Sequence, residues 1–147
     1  MKSITIFLII TLLYSCKPNY TTNHLRTFIG STLKKNNGII NLRLYNENEW
    51  NKLYVLGPYS SKNSFDANLK VYEQQILQTG IENVDDRCIL LLFNDDKLAD
   101  ISIINRVIDF SNAAKNSNSK VGFYTKNASL FHYRKKDNHT FIMTNFD

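Results

Sequence analysis

The chain has 147 residues with 18 Lys and Arg against 13 Asp and Glu, a formal net charge of +5. That length suits one domain with a single core and is short for two. The charges are interspersed, with no basic face interleaved with aromatics of the kind that tracks a phosphate backbone, which disfavours nucleic acid as a partner. Of the two cysteines, Cys16 is expected to carry another modification and Cys88 sits in an apolar run, so no disulfide framework is expected and stability must come from an ordinary packed core.

Residues 1–15 have the layout of a secretory signal: Lys2, an apolar run from Ile4 to Leu13, then Tyr14-Ser15. The run falls well short of the roughly 20 residues that a membrane-spanning helix needs, so the segment is expected to be removed. Leu13-Tyr14-Ser15-Cys16 resembles the lipobox of bacterial lipoproteins, with an aliphatic residue at −3, a small residue at −1 and the obligatory cysteine at +1. The resemblance implies diacylglycerol on the Cys16 sulfur, cleavage before Cys16, and often a third acyl chain on the new amino terminus. Each buried methylene contributes about 0.8 kcal/mol, so two or three chains anchor firmly. Lys17 is not the aspartate that marks inner-membrane retention under a known sorting rule, which favours the outer over the inner membrane of the envelope.

Residues 16–21 form a polar tether broken by Pro18, and residues 22–147 form the predicted globular domain. Thr22 or Asn23 caps a predicted helix carrying Leu25, Phe28, Ile29 and Leu33 on one stripe, with Lys34-Lys35 suited to its negative end and Asn36-Asn37-Gly38 closing it. From Ile39 the period becomes two, and Ile40, Leu42 and Leu44 alternate with Asn41 and Arg43 as in a half-buried strand. A polar turn from Asn46 to Glu49 precedes a second predicted strand, Trp50 to Leu56, which Gly57-Pro58 stops because proline cannot donate to a ladder.

Phe65, Leu69, Tyr72 and Ile76 predict one continuous helix ending at Gly80. Arg87 to Phe93 is almost wholly apolar after its first residue, as expected of a central strand covered on both faces. Asn94-Asp95-Asp96-Lys97 turns it into a partner from Leu98 to about Asn105. This pair is expected in the middle of the sheet. Asn112 to Ser119 reads as a loop, and Val121–Phe123, Ser129–Lys135 and Thr140–Phe146 as short strands. If Asp137-Asn138 is a two-residue turn, His139 faces Lys136 and His132 faces Met143. The order predicts an α+β domain with a single antiparallel sheet of about five to seven strands and two helices on one face.

Few constellations suggest chemistry. His24, His132 and His139 lack a nucleophile–base context, and the hairpin register keeps His132 and His139 from opposing each other, which disfavours zinc. Asp85-Asp86 and Asp95-Asp96-Lys97 fit turns and match no calcium loop. Cys88 lies in an apolar strand, where burial raises a thiol pKa and hides it. Arg134-Lys135-Lys136 reads as a solvated hairpin tip or a contact with anionic headgroups. No cofactor is expected.

The segment Trp50-Asn51-Lys52-Leu53-Tyr54-Val55-Leu56-Gly57-Pro58-Tyr59 resembles a W-[DN]-x-hydrophobic-Y-hydrophobic-x-x-P-Y stretch of small bacterial lipoproteins of uncharacterised function. In those proteins it is followed by a helix, a Leu/Phe-rich strand, a turn, a second strand and an Arg-x-x-Asp-Phe-like element, here Arg106 to Phe110. The likeness runs roughly from Ile39 to Tyr133, implies a fold, and carries over no catalytic residues. One reading has Trp50 and Tyr54 filling the core beside the helix. The other gathers Trp50, Tyr54, Tyr59, Arg106 and Asp109 into a ligand-contacting cluster, since aromatics beside a bidentate arginine are common in binding surfaces.

The leading functional expectation is a membrane-anchored envelope lipoprotein without enzymatic activity, whose domain binds an envelope protein as an accessory or immunity-type factor. The alternative is a small-ligand or glycan-binding module using the aromatic and arginine cluster. An enzyme would need Arg106, Asp109 and a histidine brought into one pocket.

Overall fold

A computed structural model describes residues 22–35, 37–115 and 119–144. Residues 1–21, which hold the expected signal peptide, the expected lipidation position Cys16 and the expected tether, fall outside the described residues, as do Asn36, part of the predicted 112–119 loop and the end of the last predicted strand. The fold is α+β, built on two four-stranded sheets.

Helix α1 (His24–Lys34) forms where expected and buries Leu25, Ile29 and Leu33. The strand predicted to run on to Leu44 is only β1 (Ile39–Asn41). Residues 42–44 instead make one tight helical turn, fixed by the Leu42 amide donating to the Ser129 carbonyl at 2.9 Å. The turn keeps Leu42 inside and rotates Leu44 out, where it is 66% exposed.

Strand β2 (Lys52–Leu56) runs antiparallel between β3 (Arg87–Asn94) and β6 (Val121–Thr125). Strand β4 (Lys97–Asn105) pairs with β3 and forms the sheet edge, so the order β4-β3-β2-β6 puts β3 and β2 in the middle. The expected central pair is thereby corrected. In the second sheet β1 pairs with β7 (Leu130–Lys136), β7 with β8 (His139–Met143), and β8 in parallel with the two-residue β5 (Ile108–Asp109). His139 faces Lys136 and His132 faces Met143, the register that a two-residue turn dictates.

The single-sheet, one-sided arrangement is also corrected. Every β3 residue from Cys88 to Phe93 is buried, so the first sheet needs cover on both faces. Leu53, Val55, Cys88, Leu90 and Leu92 face α1, the second sheet and the short helix α4 (Ser111–Ala114). Tyr54, Leu56, Ile89, Leu91 and Phe93 face the segment carrying α2 (Ala67–Val71) and α3 (Glu73–Leu77).

The predicted continuous helix is thus two short ones. Asp66 caps α2 by accepting the Leu69 amide at 3.0 Å, but the backbone leaves helical geometry at Tyr72 (φ −109°, ψ 15°). There the ring packs edge-on against Phe93 at 5.6 Å and the hydroxyl accepts the Leu98 amide at 3.1 Å, a tertiary demand that overrides local propensity. Helix α4 lies where a loop was expected. Ala113 and Ala114 are buried, and a Cβ on Gly122 would collide with the Ala113 carbonyl, so glycine lets α4 lie against β6.

Candidate functional site

A concavity lies on the outer side of α1. His24, Thr27, Phe28 and Ser31 form one wall, and Leu44, Tyr45, Asn46 and Glu47 form the other, around a hollow of about 550 Å³. A second hollow of about 350 Å³ shares Phe28, Ser31 and Leu44 and extends the trough past Lys35 and Asn37 to Ile39 and Leu130. Exposed Leu44 stands where the two meet, and the half-buried ring of Phe28 is common to both.

The wall opposite α1 is held from beneath. Phe28 meets Tyr45 edge-on at 5.5 Å between centroids. Trp50 donates its indole N–H to the Tyr45 carbonyl at 2.9 Å, while Lys126 places its Nζ 4.9 Å from the Trp50 ring centre and 3.4 Å from Asn46 Oδ1. Indole and lysine together therefore fix residues 45 and 46. The buried Tyr45 hydroxyl has no hydrogen-bond partner, and burial, then the charges of Asp100 and Glu47, push its pKa up to about 12.

The start of α1 is tied to β4 by a buried carboxylate. Asp100 is fully buried, accepts the Thr22 hydroxyl at 2.9 Å on Oδ1 and the Ser102 hydroxyl at 3.3 Å on Oδ2. The Thr22 amide adds a 3.2 Å bond to the Ile101 carbonyl. Burial raises the Asp100 pKa, partly offset by those hydroxyl donors.

The five residues of the expected aromatic and arginine cluster occupy separate places. Trp50 and Tyr54 are both buried but in the two different cores. Tyr54 donates to Asp66 at 2.6 Å, and burial followed by that bond pushes its pKa up to about 12. Tyr59 is 49% exposed at positive φ (59°), with Lys120 Nζ 5.1 Å from its ring centre. Only Arg106 and Asp109 come together. The guanidinium donates to Asp109 Oδ2 at 3.0 and 3.3 Å and to the Asp85 carbonyl at 3.0 Å.

Asp109 Oδ1 accepts the Ser111 amide at 2.8 Å and lies 4.0 Å from Cys88 Sγ. Burial alone would raise the Asp109 pKa, but the Ser111 and Arg106 hydrogen bonds outweigh it and hold the carboxyl below its usual value. Burial pushes the Cys88 thiol up. This group locks β5 and α4 against β3, and no histidine hydrogen bond joins it. Among the described residues, no three His, Cys, Asp or Glu side chains gather as a metal site. None of their helices is long and apolar enough to cross a membrane.

Compared with models of known families, with curated proteins and with solved structures, the chain matches none. The trough itself was not legible in the sequence, because strand alternation assigned Leu44 to the interior. The one available signal was the polar run Asn46 to Glu49, which begins two positions after Leu44.

Proposed function

We propose that the protein is a lipid-anchored lipoprotein of the bacterial cell envelope, on the outer membrane, whose domain binds another envelope protein as an accessory or immunity-type factor without catalysis. The observation that carries the binding reading is Leu44, a large apolar side chain 66% exposed at the centre of a trough with Phe28 in its wall and polar groups along its rim. An apolar centre ringed by polar residues is the anatomy of a protein–protein contact. A protein segment fits it better than a small molecule, since the trough opens to solvent and runs over two hollows that share Phe28, Ser31 and Leu44. The anchor reading draws on the Ile4–Leu13 run and Leu13-Tyr14-Ser15-Cys16, and it sets His24, at the head of the trough, eight residues after the acylated cysteine. The small-ligand or glycan reading has no comparable support, because Trp50, Tyr54 and Tyr59 do not converge on Arg106 and Asp109.

Capture from detergent-solubilised envelope, run in parallel with the native chain and Leu44→Asp, tests the proposal. The expected result is one protein recovered reproducibly with the native chain and lost with Leu44→Asp, together with an acyl mass on the Cys16 peptide. Recovery indifferent to Leu44→Asp would remove the trough from the account.

A further inference from the structure

Among the described residues, the second sheet buries only one of its faces. Phe131, Tyr133, Thr140 and Ile142 point inward and are buried. The register therefore turns Leu130, His132, Arg134 and Lys136 of β7 outward beside Met143, Phe141 and His139 of β8. His132, Arg134, Lys136 and His139 are exposed, while Leu130, Phe141 and Met143 are half-buried between them. His139 stacks on Phe141 at 6.2 Å. Arg134 and Lys136 form none of the ion pairs among the described residues, which are Lys52–Asp96, Arg87–Asp86 and Arg106–Asp109. From Leu130 to Met143 the sole acidic residue is Asp137, in the turn. Lys135 points the other way and donates to the Leu33 carbonyl at 3.2 Å, at the far end of α1.

We infer that this outward face docks on an anionic lipid surface, with Arg134 and Lys136 meeting headgroup phosphates and Phe141 and Met143 settling among the headgroups. Unpaired cations alternating with half-buried apolar side chains are what an anionic membrane interface selects. Chain length permits it. Five residues, 17–21, lie between Cys16 and Thr22, and the six steps from one to the other can reach about 20 Å when extended. Helix α1, of 11 residues, spans about 16 Å from that point to the carbonyl end that Lys135 grips. The orientation rests on the lipid-anchored reading, and the affinity for anionic lipid does not.

The test uses the full chain carrying Cys16→Ser, with vesicles of phosphatidylcholine alone and with added phosphatidylglycerol. The phosphatidylcholine signal measures the apolar leader, and the increment on adding phosphatidylglycerol measures the patch. The increment is expected to fall about tenfold or more in Arg134→Glu/Lys136→Glu and to collapse at high salt. It should survive Lys62→Glu/Lys70→Glu, an equal charge change at exposed positions on the α2 side of the first sheet. No increment in the parent chain, or equal losses in both double variants, would overturn the proposal. So would equal binding of soluble poly-glutamate with no vesicle increment, which would point to an acidic protein. Acylation is read separately: a native chain without acyl mass on Cys16 ends the tether reading and leaves the vesicle result intact.

Discussion

The two sheets are alike in strand number and opposite in how they meet solvent. The first is wrapped on both faces, with α1, α4 and the second sheet on one side and α2 and α3 on the other. The second closes over the shared core and, among the described residues, keeps its outer face open, with the α1 trough beginning at its β1 margin through Ile39 and Leu130. The difference separates scaffold from surface: substitutions in the first sheet should act on stability, and substitutions on the outer side of the second should act on what the protein touches.

The largest expected effect tests the scaffold half. Leu90→Ala removes a fully buried side chain from the middle of β3 and should destabilise by about 2–5 kcal/mol in urea titration. His132→Ala, exposed on the outer face, should change stability by less than about 0.5 kcal/mol. Similar losses from both would erase the distinction between the sheets.

Two carboxylates sharpen it with opposite signs. Asp109 has a folded pKa held below its unfolded value, so its stabilisation is present above about pH 4 and is lost as pH falls through the folded value. Asp109→Asn at pH 7 should therefore destabilise, by about 1–3 kcal/mol for the charge-assisted bonds it weakens. Asp100 has a raised folded pKa, so its charge opposes folding at neutral pH, and acidification through that raised value toward about pH 4 restores stability. Asp100→Asn keeps an acceptor for the Thr22 hydroxyl and should be neutral to stabilising at pH 7, by up to about 1 kcal/mol. Urea midpoints of both variants at pH 7 and pH 5 check the pair, and a large loss in Asp100→Asn at pH 7 would contradict this account.

Local signals in the chain served where local physics decides. The stripe of Leu25, Ile29 and Leu33 formed α1, the unbroken apolar run formed β3, and Asp137-Asn138 set the β7–β8 register. Long-range demands were invisible. Tyr72 breaks its helix for contacts with Phe93 and Leu98, 21 and 26 residues on. Alternation would place Trp50 and Tyr54 on one side of a strand, but the strand begins only at Lys52. Asn51 turns there to give its amide to the Phe93 carbonyl, and Trp50 enters the opposite core. Splitting the strands into two sheets, and exposing Leu44 between them and α1, depends on pairings such as Leu42 with Ser129 that no short window contains.

The binding claim is tested most directly by a photo-crosslinking side chain placed at residue 44 and, in a separate chain, at residue 71. Both positions are highly exposed, 66% at Leu44 and 72% at Val71, but Val71 lies on the α2 side of the first sheet. Irradiation of intact cells should give a discrete protein adduct from position 44 and none from position 71. Adducts of equal yield from both positions, or from position 71 alone, would contradict the assignment of the α1 trough as the partner site.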